Sequence, residues 1–214
     1  VPEGSYTVQF AASHALHQPS GKDMRDILAL IDETTIDCTS SYIISYKHLL
    51  GLLSSLQRIS EGDVVRACHM VYGWMPTILE LGQGKDRATA SEAADMLEQA
   101  RAGHPLCKEK LVRLSGLVNN SMVGASKLLH FCAPENYAIW DSRIYFFLYG
   151  KKPHHYQVNN PTLYIQYLSS LKEIAARAEF SDFHRKVNAK IGYPVTSLRA
   201  IEIIMFENGR FIDG

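Results

Sequence analysis

Apolar residues recur at helical spacing along almost the whole chain, and this pattern restricts the fold more than any other feature. Over residues 22–33, Met24, Ile27, Leu28, Leu30 and Ile31 share one helical face. Ile43, Ile44, Leu49, Leu50, Leu53 and Leu56 repeat the spacing in a longer helix, capped by Thr39 or Ser40 and running to Arg58. Further helices are predicted over residues 62–74, 89–102, 105–117, 124–132, 142–149, 160–179, 180–191 and 197–206. Residues 76–81 add a turn or two. Pro105 and Pro161 suit first helical turns, and Thr196 suits a cap. Only residues 5–10 alternate as a strand or an extended arm. The expectation is an all-α protein of roughly ten helices.

At 214 residues the chain can form one large domain or two intimate lobes around a real core. Its formal net charge is zero, so overall charge announces no polyanion, membrane or acidic substrate. The distribution is less even. Residues 101–155 hold eight Lys or Arg against three acids, a net +5, and the rest of the chain carries −5. A basic half facing an acidic half fits a polyanion bound on one side, and scattered solvated charges fit the same count. Cys38, Cys68, Cys107 and Cys132 are far apart, with no C-x-x-C. That spacing argues against zinc and iron–sulfur and for reduced, mostly buried thiols, so no metal or cofactor is expected. No run approaches a membrane span and no leader pattern opens the chain, so a cytoplasmic protein without membrane contact is expected.

Catalytic signatures are scarce. There is no G-x-S-x-G, H-E-x-x-H, Walker loop or dinucleotide fingerprint. The residues that stand out lie in one stretch, 117–150. Asn119, Asn120 and Ser121 make a tight polar turn between two helices, and asparagine tolerates the left-handed backbone such a turn needs. A helix start near Gly124 offers backbone N–H groups to an anion, and Lys127 adds charge one turn on. Downstream, Asp141 follows Ile139 and Trp140 and precedes Ser142 and Arg143 at another helix start. An aspartate there is either a plain helix cap or a carboxylate presented for chemistry.

This stretch resembles the helix–hairpin–helix DNA glycosylase superfamily, which includes the oxoguanine and endonuclease III type enzymes. Leu117 matches the leucine of the family hairpin and Ala125 its alanine. Leu128, Leu129 and Phe131 fill the apolar helix, and residues 140–144 match the segment that carries the family's aspartate. The spacing from the small residue to the aspartate agrees. Asn119 and Ser121 replace the two hairpin glycines, and Val123 stands where bifunctional members carry a Schiff-base lysine. The match covers about a sixth of the chain.

The resemblance implies a two-lobed all-α fold with a cleft, forming a single unit over residues 1–214. Approximate lobes would span 39–103 and 104–150, with helices in 160–207 packing back to complete the fold. It implies a monomeric, monofunctional DNA N-glycosylase that acts on a damaged or modified base flipped from double-stranded DNA. A hypermodified base in foreign or phage DNA, in an antiphage setting, is one such target. Asp141 would be catalytic, stabilising an oxocarbenium-like sugar and orienting water. Asn119, Asn120, Ser121, Val123, Gly124, Lys127 and Arg143 would contact DNA, and Trp140 and Tyr137 would line the base pocket. The alternative is a non-catalytic helical DNA-binding module that keeps the fold, favoured by the lost hairpin glycines.

Overall fold

The structure, a computed structural model, describes residues 27–75, 77–82 and 84–210. The expected arm at residues 5–10 and the first five residues of the predicted 22–33 helix lie outside these, and the described remainder of that helix forms only a short 3₁₀ turn. Within them the chain is helical: a 3₁₀ turn at Ala29–Ile31, then ten α-helices. In chain order these are α1 (Ser41–Ser54), α2 (Glu61–Trp74), α3 (Ala90–Arg101), α4 (Lys108–Leu117) and α5 (Met122–Cys132), then α6 (Ser142–Tyr149), α7 (His155–Val158), α8 (Pro161–Ala175), α9 (Phe180–Ile191) and α10 (Ser197–Asn208). Among the described residues the only β pairing is an isolated antiparallel bridge between Leu81 and Val118.

Local chemistry sets most boundaries. Ser60 with Asp63 and Thr89 with Glu92 form capping boxes at the starts of α2 and α3. Asn160 caps α8 with Pro161 in its first turn, and Thr196 caps α10. Where helices stop short of the sequence pattern, tertiary bonds have taken the backbone. The first long helix ends at Ser54 instead of Arg58. The Arg101 guanidinium donates to the Leu56 and Gln57 carbonyls at 2.7 and 3.0 Å, and Ile59 N donates to Glu98 at 2.6 Å. Likewise α4 begins at Lys108, not Pro105, because Leu106 N donates to the Tyr137 hydroxyl at 3.0 Å. The predicted 160–179 helix stops at Ala175, and the turn after it sends Phe180 into the core.

Residues 77–81 are extended, not helical. Gly82 N donates to Leu117 O at 2.8 Å, and the Asn119 amide bonds both Glu80 N (2.7 Å) and Ile78 O (2.9 Å). The hairpin thus supplies partners that a helix would have supplied locally.

One continuous hydrophobic cluster unites the helices. Within it α5 packs against α1, α2, α3 and α4, while α10 packs against α6, α8 and α9. Two glycines allow close approaches. A Cβ on Gly124 of α5 would lie 2.4 Å from the Tyr72 hydroxyl of α2, and one on Gly209 would lie 2.3 Å from Arg143 O. The second contact holds the end of α10 against the start of α6.

The cysteines differ in part from expectation. Cys68 and Cys132 are buried, Cys38 and Cys107 are exposed, and all four are free. Among the described residues no helix is long and apolar enough to cross a membrane.

Candidate active site

Asp141 is placed by the extended segment before it. Tyr164 and Tyr167 of α8 donate to Ala138 O and Ile139 O, each at 3.0 Å. Ser126 of α5 accepts the Trp140 N–H at 3.1 Å and lies 3.2 Å from the Trp140 carbonyl. With the strand-like segment fastened on two sides, Asp141 opens α6. Its Oδ1 accepts from Arg143 N (3.0 Å) and Ile144 N (3.1 Å). Both cap bonds use that one oxygen. Asp141 also lines a cleft of about 470 Å³, within the size range of small-ligand sites. The residue that caps α6 thus also borders the cleft.

With Asp141 the cleft is lined by Lys127, Trp74, Arg143, Arg199 and Glu202, with Tyr42 and Phe206 among its apolar residues. The sequence expectation gives Lys127 as added charge on the first turn after the hairpin. The structure turns it inward, with its ammonium 5.9 Å from the Trp74 ring centroid. Lys127 forms no hydrogen bond or ion pair with any described residue. Burial pushes the Lys127 pKa down, while Asp141 and then Glu202 pull it back up. Arg143 rests its guanidinium 4.4 Å from the Phe206 ring centroid and makes no ion pair with Asp141.

Beneath the cleft, Arg199 and Glu202 of α10 form an ion pair, 5% and 1% exposed. Burial, then Asp141, pushes the Glu202 carboxyl up to about 7, against the pull of Arg199. The Arg199 guanidinium lies 4.6 Å from the Tyr46 ring centroid. The Tyr46 hydroxyl and His130 Nε2 are 2.7 Å apart, and His130 Nδ1 is 2.7 Å from Tyr137 O. A carbonyl only accepts, so Nδ1 carries the proton and Nε2 accepts from Tyr46. Burial, with Arg199 adding, pushes the His130 pKa down to about 3, so it is neutral near pH 7.

Several sequence expectations are overturned here. Trp140 is 0% exposed and donates from Nε1 to Val158 O at 2.8 Å, so it is core rather than pocket. The Tyr137 hydroxyl is occupied by Leu106 N, and its ring lines a separate depression of about 250 Å³ beside His104 and Lys172. The aromatic lining of the cleft comes instead from Trp74, Tyr42 and Phe206.

The hairpin keeps its expected backbone: Asn119 (φ 53°) and Asn120 (φ 49°) are both left-handed. Its polar groups are largely spent inside the fold. Asn119 clamps residues 78–80, Met122 N donates to Asn159 Oδ1 at 2.8 Å, and Gly124 N donates to Ser121 Oγ at 3.2 Å. Gly124 is buried against Tyr72, Val123 is half-buried, and Asn120 is exposed. The basic segment is also dispersed. Arg101 is bound to Glu98, Arg113 to Glu92 and Lys110 to Gln99. The cleft balances Lys127, Arg143, Arg199 and Arg210 against Asp37, Asp141, Glu202 and Glu207.

Arg199 and Glu202 were missed in sequence, although a signal existed. Two charges three residues apart inside the apolar run 198–206 cannot both reach water from a helix that packs on several sides. Among the described residues no group of three His, Cys, Asp or Glu is placed to hold a metal. No family model, curated protein or solved structure matches this chain.

Proposed function

We propose that this chain is a DNA N-glycosylase of the helix–hairpin–helix type, with two lobes meeting at the Asp141 cleft. The reading is carried by one observation: Asp141 caps α6 through a single oxygen and at the same time lines a cleft beside Lys127. A nucleotide extruded from duplex DNA enters the cleft with its base against Trp74. The C1′–N bond breaks and its electron pair leaves with the base. Positive charge grows on the sugar, where the Asp141 carboxylate stabilises it. Water adds its oxygen to C1′ and gives a proton to Asp141, and the Lys127 ammonium protonates the departing base. The products are free base and an abasic strand. Incubation with a panel of modified DNAs, followed by mass spectrometry of released bases, tests this reading.

A second reading gives Lys127 the nucleophile's role. Burial favours its neutral amine, and it stands beside Asp141 rather than out at the hairpin. Attack of that amine on C1′ forms a C–N bond as the C1′–base bond breaks; the two amine protons pass to the base and to O4′ as the C1′–O4′ bond opens, leaving a Schiff base that borohydride reduces to a stable adduct. A trapped adduct lost in Lys127→Met selects this reading. Base release without trapping selects water as the nucleophile.

A further inference from the structure

The floor of the cleft contains a charged pair that neither version of the chemistry uses. Arg199 and Glu202 are buried together one helical turn apart. A pair of this kind seldom adds stability, because the desolvation of two ions offsets most of their attraction. Its position gives it another use. Glu202 pairs with Arg199 on its own helix and lines the same cleft as Lys127 of α5 and Asp141 at the start of α6. Tyr46 of α1 and Tyr167 of α8 also sense its charge. Lys127 has no ion pair or hydrogen bond among the described residues, and one Asp141 oxygen is committed to the α6 cap.

We propose that Glu202 is a positioning residue of the cleft: its carboxylate, held by Arg199, keeps the proton on the Lys127 amine. The assignment rests on the proposed excision for its purpose and on charge geometry for its substance. Desolvation drives Lys127 toward the neutral amine, Asp141 and Glu202 oppose it, and Arg199 reinforces it. Loss of the Glu202 charge removes one opposing group and leaves Arg199 uncompensated. Both changes push Lys127 the same way. Glu202 itself titrates near 7, so its hold on the Lys127 proton strengthens as pH rises through neutrality.

Competitive acetylation with acetic anhydride across a pH series, read by mass spectrometry at the Lys127 peptide, measures this directly. The exposed Lys108 serves as internal reference. In Glu202→Gln the midpoint for Lys127 should fall by about one pH unit or more, while Lys108 is unchanged. A folded Glu202→Gln protein with the wild-type Lys127 midpoint overturns the assignment. If that variant does not fold, Arg199→Met/Glu202→Gln removes both ions together, a change that buried pairs often tolerate. The wild-type Lys127 curve should bend near pH 7, and the bend should vanish in the double variant. Superimposable curves overturn the assignment. None of these readouts needs a substrate. A labelling shift in a protein that releases no base leaves Glu202 assigned and rejects the excision reading.

Discussion

The Lys127 ammonium lies 5.9 Å from the centroid of the Trp74 ring, joining the cation and an aromatic wall of the cleft across α2 and α5. The other tryptophan, Trp140, is wholly enclosed. The two should therefore respond oppositely. Trp140→Ala should cost about 3–5 kcal/mol of stability, the usual range for deleting a core aromatic. Trp74→Ala should cost less stability and lose most base release. Thermal melts paired with a base-release assay check the contrast. A Trp74→Ala protein that releases base as the wild type does removes the indole from the proposed site.

Gly124 is held to its size by Tyr72. Gly124→Ala puts a methyl group 2.4 Å from the Tyr72 hydroxyl, against two packed helices. Overpacking of this kind costs about 1–3 kcal/mol, and each kcal/mol lowers the melting temperature by about 2–4 °C in a protein of this size. Tyr72→Phe in the same chain should recover part of the loss, although it gives up the 3.1 Å bond to Val118 O. A melting temperature unchanged by Gly124→Ala contradicts this packing.

His130 should make the fold sensitive to acid. Its pKa is pushed down to about 3 from an ordinary 6.5. Between those values the unfolded chain binds the proton and the folded one does not, so stability falls as pH falls through this window. Glu202 has the opposite sign. Its pKa is raised to about 7 from 4.5, so it favours the folded state at low pH and loses that contribution as pH rises from 4.5 to 7. The two oppose each other above about 4.5, and below it the His130 loss is unopposed. His130→Gln keeps an acceptor for Tyr46 and a donor for Tyr137 O but does not titrate. Its melting temperature should depend less on pH than the wild type's between pH 3 and 4.5. Parallel curves reject the role given to His130.

How far the sequence was legible follows from what kind of force acted at each place. The starts of α2, α3, α8 and α10 were readable because Ser60, Thr89, Asn160 and Thr196 bond to backbone within three residues. The end of α1 and the extended 77–81 segment were not, because Arg101 and Asn119 reach them from about 40 residues away. Asp141 was found by its position at a helix start. Its neighbours Trp74, Arg199 and Glu202 come from α2 and α10, and no spacing along the chain joins them to it. Lys127 stood out as a charge on the first turn of α5, but its place in the cleft depends on contacts far apart in the chain. Ser126 bonds to the Trp140 segment, a tertiary contact that turns the adjacent Lys127 toward Asp141.

The most direct test of the account is Asp141→Asn. Asparagine keeps a side-chain oxygen for the Arg143 and Ile144 N–H groups, so α6 stays capped and the melting temperature should change little. It removes the negative charge that the sugar cation needs, and loss of one such group costs on the order of a hundredfold or more in rate. The measurement is single-turnover base release from a modified DNA that the base-release panel identifies as a substrate, with duplex binding followed in parallel. The account expects a stable protein that binds DNA and releases almost no base. Release at the wild-type rate would contradict it and leave Asp141 a helix cap alone.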